Sequence, residues 1–148
     1  MSIGSESIMV NKFIKDDSLI AVMGLGYVGL PLAVEFGKTR PTVGFDIDAN
    51  RIGSLIEGVD ETLEVSRDEL AASHRLKLSS NIELLREAKV FIVAVPTPID
   101  EHKKPNLEPL VTASRMVGKL IKKDDIVVYE STVFPGATEE ICVPILEE

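Results

Sequence analysis

A doubly wound α/β fold around a parallel sheet follows from three features of this 148-residue chain. Short apolar runs alternate with helical patterns along its length. The first of these runs, Leu19 to Met23 (LIAVM), passes directly into Gly24-Leu25-Gly26-Tyr27-Val28-Gly29, a GxGxxG turn. Polar and glycine clusters fall at the C-terminal ends of the apolar runs. Strands joined by helices pair in parallel through right-handed crossovers, and the sheet is buried on both faces. The doubly wound arrangement then sets a strand order of 3-2-1-4-5, with the sixth strand of the full pattern absent from the sequence.

Each element has its own signal. Strand one is Leu19 to Met23. The first helix spans Tyr27 to Lys38, with Leu30, Ala33, Val34 and Gly37 on an apolar face and Pro31 in the first turn, where a missing N–H costs little. Strand two is Thr42 to Asp46. A second helix, Ala49 to Glu57, ends at Gly58, a C-cap residue. Asp60 to Arg75 is polar, with Ser66 and Glu69 at capping-box spacing around a short helix, Arg67 to Ala72. Strand three is Leu76 to Leu78, followed by a helix from Ile82 to Ala88. Strand four is Val90 to Val95 (VFIVAV), stopped by Pro96-Thr97-Pro98. After the polar loop Asp100 to Lys104, a helix runs from Leu107 to Lys122. Strand five is Ile126 to Tyr129. A last helix begins after Pro135-Gly136 and continues to the C-terminus. Met1 to Ser18 reads as a mostly disordered leader, with local order at Ile8 to Phe13, and residues 19–148 as one domain.

The glycine turn points to a ligand. Strand, glycine turn, helix, strand and a closing acid about 20 residues on form the dinucleotide-binding fingerprint, here Gly24, Gly26, Gly29 and Asp46. Gly24 permits the tight turn, Gly26 lets the backbone approach a pyrophosphate, and Gly29 lets the helix pack close to the sheet. The helix start offers unpaired N–H groups and a partial positive charge to the phosphates. The polar clusters after strands one, two, four and five all come to the sheet edge where open α/β folds bind ligands.

Bulk properties narrow the class. A net charge of -8 argues against nucleic acid or an anionic membrane as partner. The single cysteine, Cys142, excludes an internal disulfide and suits a reducing cytoplasm. No apolar run reaches transmembrane length, and the first residues lack the apolar stretch of a signal peptide.

Candidate site residues follow from these positions. Asp46 would accept from the adenosine ribose hydroxyls; the competing role is an acid at the next helix start, which Asp48 could fill. Arg51 either lies near the adenosine or pyrophosphate or is a surface arginine paired with Asp48. Thr97, held between two prolines, either touches the nicotinamide ribose or pyrophosphate or merely ends the strand. Ser131 and Thr132 follow strand five and face the reactive end of the cofactor; Thr132 either bonds a water or substrate oxygen or caps the final helix. Cys142 reads as a structural thiol. His74 and His102 have no metal-ligand partners at useful spacing and receive no role.

The chain resembles the NAD-binding domain of the UDP-glucose/GDP-mannose dehydrogenase family. The resemblance rests on Gly24-Leu25-Gly26-Tyr27-Val28-Gly29-Leu30-Pro31, Gly44-Phe45-Asp46 with Arg51, Val95-Pro96-Thr97-Pro98 and Glu130-Ser131-Thr132-Val133 with Pro135-Gly136. The last cluster is similar to the branch acting on UDP-N-acetylglucosamine or -galactosamine in capsule and O-antigen synthesis. The resemblance implies oxidation of the C6 alcohol of a UDP-sugar to a uronate, with NAD as cofactor, by a cytoplasmic homodimer. It implies cofactor contacts at Gly26, Tyr27, Val28, Asp46, Arg51, Thr97 and Thr132, with Thr132 also positioning the catalytic water. The family's nucleophilic cysteine, lysine and aspartate belong to later domains and have no counterparts here, so this chain alone is expected to be inactive. Two other readings are a cofactor domain of the β-hydroxyacid or 6-phosphogluconate type, and a non-catalytic NAD-binding module. The absence of a sixth strand also leads us to expect an exposed apolar edge at Ile126 to Tyr129 that recruits a partner.

Overall fold

The computed structural model describes Lys15, residues 17–130 and residues 138–148. The region 1–14 with the expected leader, and Ser131 and Thr132, lie outside the described residues. The elements are β1 (Leu19–Met23), α1 (Gly29–Gly37), β2 (Thr42–Phe45), α2 (Ala49–Ile56), α3 (Arg67–Ala72), β3 (Leu76–Ser79), a 3-10 turn (Ile82–Leu85), β4 (Ala88–Val93), α4 (Glu108–Gly118), β5 (Ile126–Tyr129), a π-helical turn (Thr138–Cys142) and α5 (Val143–Leu146). The sheet order is β3-β2-β1-β4-β5, all parallel, as the sequence predicts.

Side-chain alternation builds a core on each face of the sheet. On β1 and β4, Ala21, Met23, Phe91 and Val93 point to one side, where Leu110, Ala113 and Val117 of α4 and Cys142 cover them. Ile20, Val22, Val90 and Ile92 point to the other, under Leu30, Ala33 and Val34 of α1 and Ile52 and Leu55 of α2. Cys142 is fully buried, as expected of a structural thiol. At β5 the sheet ends among the described residues: the strand pairs only with β4, and its four residues are half-buried.

The boundaries that differ do so for local reasons. The helix expected from Ile82 to Ala88 is one 3-10 turn, because Asn81 accepts from Glu83 N (3.1 Å) and Ala88 already pairs with Leu19 in the sheet. The apolar stretch therefore enters the sheet before Val90 and leaves it at Val93, although Ala94 N still donates to Met23 O (2.8 Å). The C-terminal segment is a π-helical turn and a short α-helix, not one continuous helix. Pro144 in its first turn has no N–H to extend an α-helical ladder from the preceding turn. In contrast, α3 carries the full capping box: Glu69 N donates to Ser66 Oγ (3.2 Å) and Ser66 N to Glu69 Oε2 (2.8 Å).

Helix α1 sits unusually close to the strand edge. A Cβ on Gly29 would lie 1.6 Å from the Gly24 carbonyl oxygen, whereas one on Gly53, inside α2, would meet nothing within 4 Å. Gly29→Ala is therefore expected to cost about 3 kcal/mol or more. Gly53→Ala should stabilise the chain by about 0.5–1 kcal/mol through helix propensity. Urea unfolding of the two variants checks both signs.

Candidate functional site

The C-terminal ends of β1, β2 and β4 open onto a cavity of about 580 Å³. Its walls are Met23 to Gly26, Phe45 to Asp48 with Arg51, Val95-Pro96, and one side of α4. Five of the sequence-derived candidates line it: Gly24, Leu25, Gly26, Asp46 and Arg51.

The glycine turn is locked from several sides. Gly24 has φ +93°, a left-handed conformation that suits glycine, and a Cβ there would lie 2.9 Å from the Ala94 carbonyl and Val95 N. Gly24 N donates to Phe45 O (2.9 Å), tying the turn to β2. Leu25 buries its side chain fully in the α1-side core, so its backbone faces the edge. Asp46 Oδ2 accepts from Leu25 N (3.0 Å), and Asp46 Oδ1 accepts from Asp48 N (3.0 Å). Both oxygens are thereby aimed, yet a carboxylate has about four acceptor sites, so capacity for two ribose hydroxyls remains.

Asp48, not Asp46, caps the next helix, accepting from Asn50 N (2.9 Å) and Arg51 N (3.3 Å). The Arg51 guanidinium does not pair with the Asp48 carboxylate. Its Nε and Nη2 donate to Leu25 O at 2.9 and 2.7 Å, and Nη2 also lies 2.9 Å from Asp60 Oδ1. Arg51 is thus a mostly buried cation fixed to the glycine turn, with its side chain 11% exposed.

The remaining candidates sit at the rim or beyond it. Tyr27 and Val28 are exposed at the start of α1, where the N-cap Val28 offers no side-chain acceptor to the first N–H groups. The helical ladder begins with Leu30 N donating to Gly26 O (3.2 Å). Thr97 is half-buried one residue past the cavity wall at Pro96 and does not line the cavity. His74 and His102 are exposed, and no metal-binding cluster of acids, histidines and cysteine occurs among the described residues.

Two features escape a reading of the sequence. One is the wall from α4, where Asn106, Glu108, Pro109, Thr112 and Met116 face the cavity. Its signal was available, because the helix after strand four must start at the same sheet edge as the glycine turn. The other is Asp60, whose side chain is fully buried in the loop after α2. Its Oδ1 accepts from Thr62 N (2.9 Å) and Thr62 Oγ1 (2.7 Å), and its Oδ2 from Glu64 N (2.9 Å) and Val65 N (3.0 Å). Burial alone would raise the Asp60 pKa, but the bonds from Thr62, Val65 and Arg51 outweigh it and hold it at about 2. On the opposite face, burial pushes the Tyr129 phenol up to about 12; its 2.8 Å bond with Ser114 opposes the shift and nearby Cys142 adds to it.

The pocket fits an extended, anionic ligand with a hydroxylated end. A Cβ at Gly26 would meet no protein atom within 4 Å, so its lack of a side chain leaves open space at the helix start. Arg51 Nη1 is buried and has no hydrogen-bond partner among the described residues. An unsatisfied guanidinium N–H is costly, and the cation is nevertheless kept in contact with the glycine turn. Together with an acid at the end of β2, these features define a dinucleotide-binding domain.

Residues 18–148 match the UDP-glucose/GDP-mannose dehydrogenase family, NAD binding domain, and the chain belongs to this family. It is 61% identical over 132 residues to the UDP-N-acetyl-D-glucosamine 6-dehydrogenase of Pseudomonas aeruginosa, covering 89% of this chain and 31% of that protein. It is 56% identical over 131 residues to the enzyme of the same name from Salmonella typhi, covering 88% and 31%. Among solved structures, the UDP-D-ManNAc dehydrogenase of Pyrococcus horikoshii superposes with a TM-score of 0.78 at 34% identity, covering 87% of this chain and 32% of that one. The chain spans about a third of the length of these relatives. The cofactor of the domain is NAD.

The low Asp60 pKa has a direction in acid. A carboxyl with a usual value of 3.8 held at about 2 in the folded state stabilises the fold above pH 4, and that contribution is lost as pH falls from about 4 to 2. The shift corresponds to about 2 kcal/mol at neutral pH. Unfolding free energy should therefore decline over this window, and Asp60→Asn should remove that part of the slope; denaturant titrations at stepped pH measure it.

Proposed function

We propose that this chain is the cofactor-binding part of an NAD-dependent nucleotide-sugar 6-dehydrogenase that converts a UDP-N-acetylhexosamine to its uronate for surface polysaccharide synthesis. The observation that carries this reading is the cavity itself, where an open Gly26 cradle and an aimed Asp46 converge beside a buried Arg51 bonded to the glycine turn. The two relatives at 56% and 61% identity, both UDP-N-acetyl-D-glucosamine 6-dehydrogenases, support the substrate class.

The residues divide the cofactor between them. Gly24, Gly26 and Gly29, with the N–H groups at Tyr27 and Val28, take the pyrophosphate at the start of α1. Asp46 accepts from the adenosine ribose, and Arg51, bonded to Leu25 O, braces the glycine turn beside the same half. The apolar wall of Ile47, Val95, Pro109 and Met116 flanks the adenine. Leu25 contributes backbone only. Thr97, Ser131 and Thr132 serve the nicotinamide end, and Thr132 positions the water that attacks the oxidised carbon. When bound, NAD supplies the hydride acceptor; the domain orients it and keeps its ribose end fixed.

The domain runs over residues 19–148, and residues 1–18 precede it as a leader. The working enzyme is a cytoplasmic homodimer with no nucleic-acid or membrane partner. An acidic chain with a net charge of -8 supports this setting. No helix among the described residues is long and apolar enough to cross a membrane.

NAD should bind at least about tenfold more tightly than NADP, a difference of 1.4 kcal/mol. A 2′-phosphate about 4 Å from Asp46 meets roughly 4 kcal/mol of repulsion at an effective dielectric near 20. The 2′-hydroxyl instead gains a charge-assisted bond of about 1.5–3 kcal/mol. Calorimetry with both cofactors tests this, and equal affinities would remove Asp46 from the ribose role.

Gly26→Val separates binding from folding. The added side chain meets no protein atoms close to its Cβ. The thermal midpoint should stay near that of the wild type, while binding of NAD and of ADP-ribose is lost. Retained binding would show that the pyrophosphate lies elsewhere.

A further inference from the structure

Asp60 lies outside the cavity, and the hydride chemistry has no use for it. It is nevertheless a fully buried carboxylate in contact with the cation that lines the cavity. Resting on the reading of that cavity as the NAD site, we propose that Asp60 is a positioning residue for the cofactor. It fixes the Arg51 guanidinium on the Leu25 carbonyl, and so holds the glycine turn in the shape that takes the cofactor.

The geometry supports a directional arrangement. Four donors from its own loop, Thr62 N, Thr62 Oγ1, Glu64 N and Val65 N, hold the Asp60 carboxylate before Arg51 is counted. The carboxylate is therefore rigid, and the long arginine side chain conforms to it. Arg51 Nη2 bridges Asp60 Oδ1 (2.9 Å) and Leu25 O (2.7 Å), while Nε makes a second bond to Leu25 O. These contacts use one edge and one terminus of the planar guanidinium. They leave Nη1, the other terminus, without a partner among the described residues.

A competitor is close by. Asp46 and Asp48 line the same cavity as Arg51. An arginine released from Asp60 could turn toward either carboxylate and occupy the acceptor that the ribose needs. Asp60 therefore acts at the level of cofactor affinity, keeping the cation off the ribose acceptor and on the glycine turn.

The test is a double-mutant cycle on NAD affinity, measured by calorimetry on the 148-residue chain. Asp60→Asn should weaken NAD binding about tenfold in the wild-type background and by less than about twofold when Arg51→Gln is already present. Ser66→Ala removes the cap of α3 without touching Asp60 or Arg51; it should lower the unfolding midpoint and leave NAD affinity unchanged. Additive losses in the cycle, or affinity that simply follows the midpoint across Asp60→Asn and Ser66→Ala, would overturn the proposal.

A second readout needs no NAD. In the wild-type chain the Arg51 side-chain N–H resonances should be resolved and slow to exchange, and in Asp60→Asn they should be averaged. A freely rotating guanidinium in the wild type overturns the proposal even if Asp60→Asn fails to fold. If the wild type does not bind NAD, the cofactor reading falls and this proposal with it. If it binds and the cycle is additive, only the proposal falls.

Discussion

Everything at the ligand edge depends on how close α1 comes to the end of β1. The Gly24 carbonyl sits where a Gly29 side chain would begin, at 1.6 Å from an idealised Cβ. That approach brings the start of α1 close to the strand ends, beside the cavity that Gly24, Leu25 and Gly26 line. The turn is then held by backbone contacts that leave it little freedom. Gly24 N reaches Phe45 O, Leu25 N reaches Asp46, and Leu25 O receives Arg51. A loop that must grip a pyrophosphate without side chains has to be rigid before the ligand arrives, since ordering it on binding would cost affinity.

The same contacts explain why an acidic chain can host a dianionic pyrophosphate. Net charge acts over distances that salt screens within about 8 Å at physiological ionic strength. Inside that range the local charges are the helix start and the buried Arg51. The nearby acids are committed: Asp48 to capping α2 and Asp46 to the glycine turn. On the proposed reading Asp46 faces the ribose hydroxyls, which donate, and not the phosphates. Charge is therefore sorted along the cavity, with donors at the pyrophosphate end and an acceptor at the ribose end.

Most of the fold was legible because its signals are local and repeat. β1, β5 and α3 fall where the sequence predicts, the strand order is as expected, and the Ser66–Glu69 capping box forms. The errors lie where tertiary pairing or one proline overrides local pattern. Ala88 is drawn into the sheet by Leu19, which ends the expected helix early, and Pro144 splits the C-terminal segment. In the site, the glycines and Asp46 were legible because each has a backbone reason tied to a fixed spacing. Arg51 was legible as a position but not as a role, since its partners are a carbonyl 26 residues back and an acid in the next loop. Asp60 carried no signal: in a polar stretch it looks like any surface acid, and only the folded loop turns four donors onto it.

A buried ion pair of this kind is poor evidence for stability alone. Removing both charges from water costs several kcal/mol per ion, by general estimate, and a well-packed apolar pair of the same volume is often as stable. The Arg51–Asp60 pair is better satisfied than most on the acidic side, where each carboxylate oxygen has its own donors, and worse on the basic side, where Nη1 has none among the described residues. A pair maintained only for folding would gain by satisfying that last donor within the protein. The imbalance runs the other way: the anion is anchored completely, and the cation, one bond short among the described residues, is held on the glycine turn that walls the cavity. Apolar replacements could reproduce the packing of this pair, but they could not hold the Leu25 carbonyl. The arrangement therefore makes physical sense as a brace on the glycine turn, with its bonds spent on fixing one wall of the cavity.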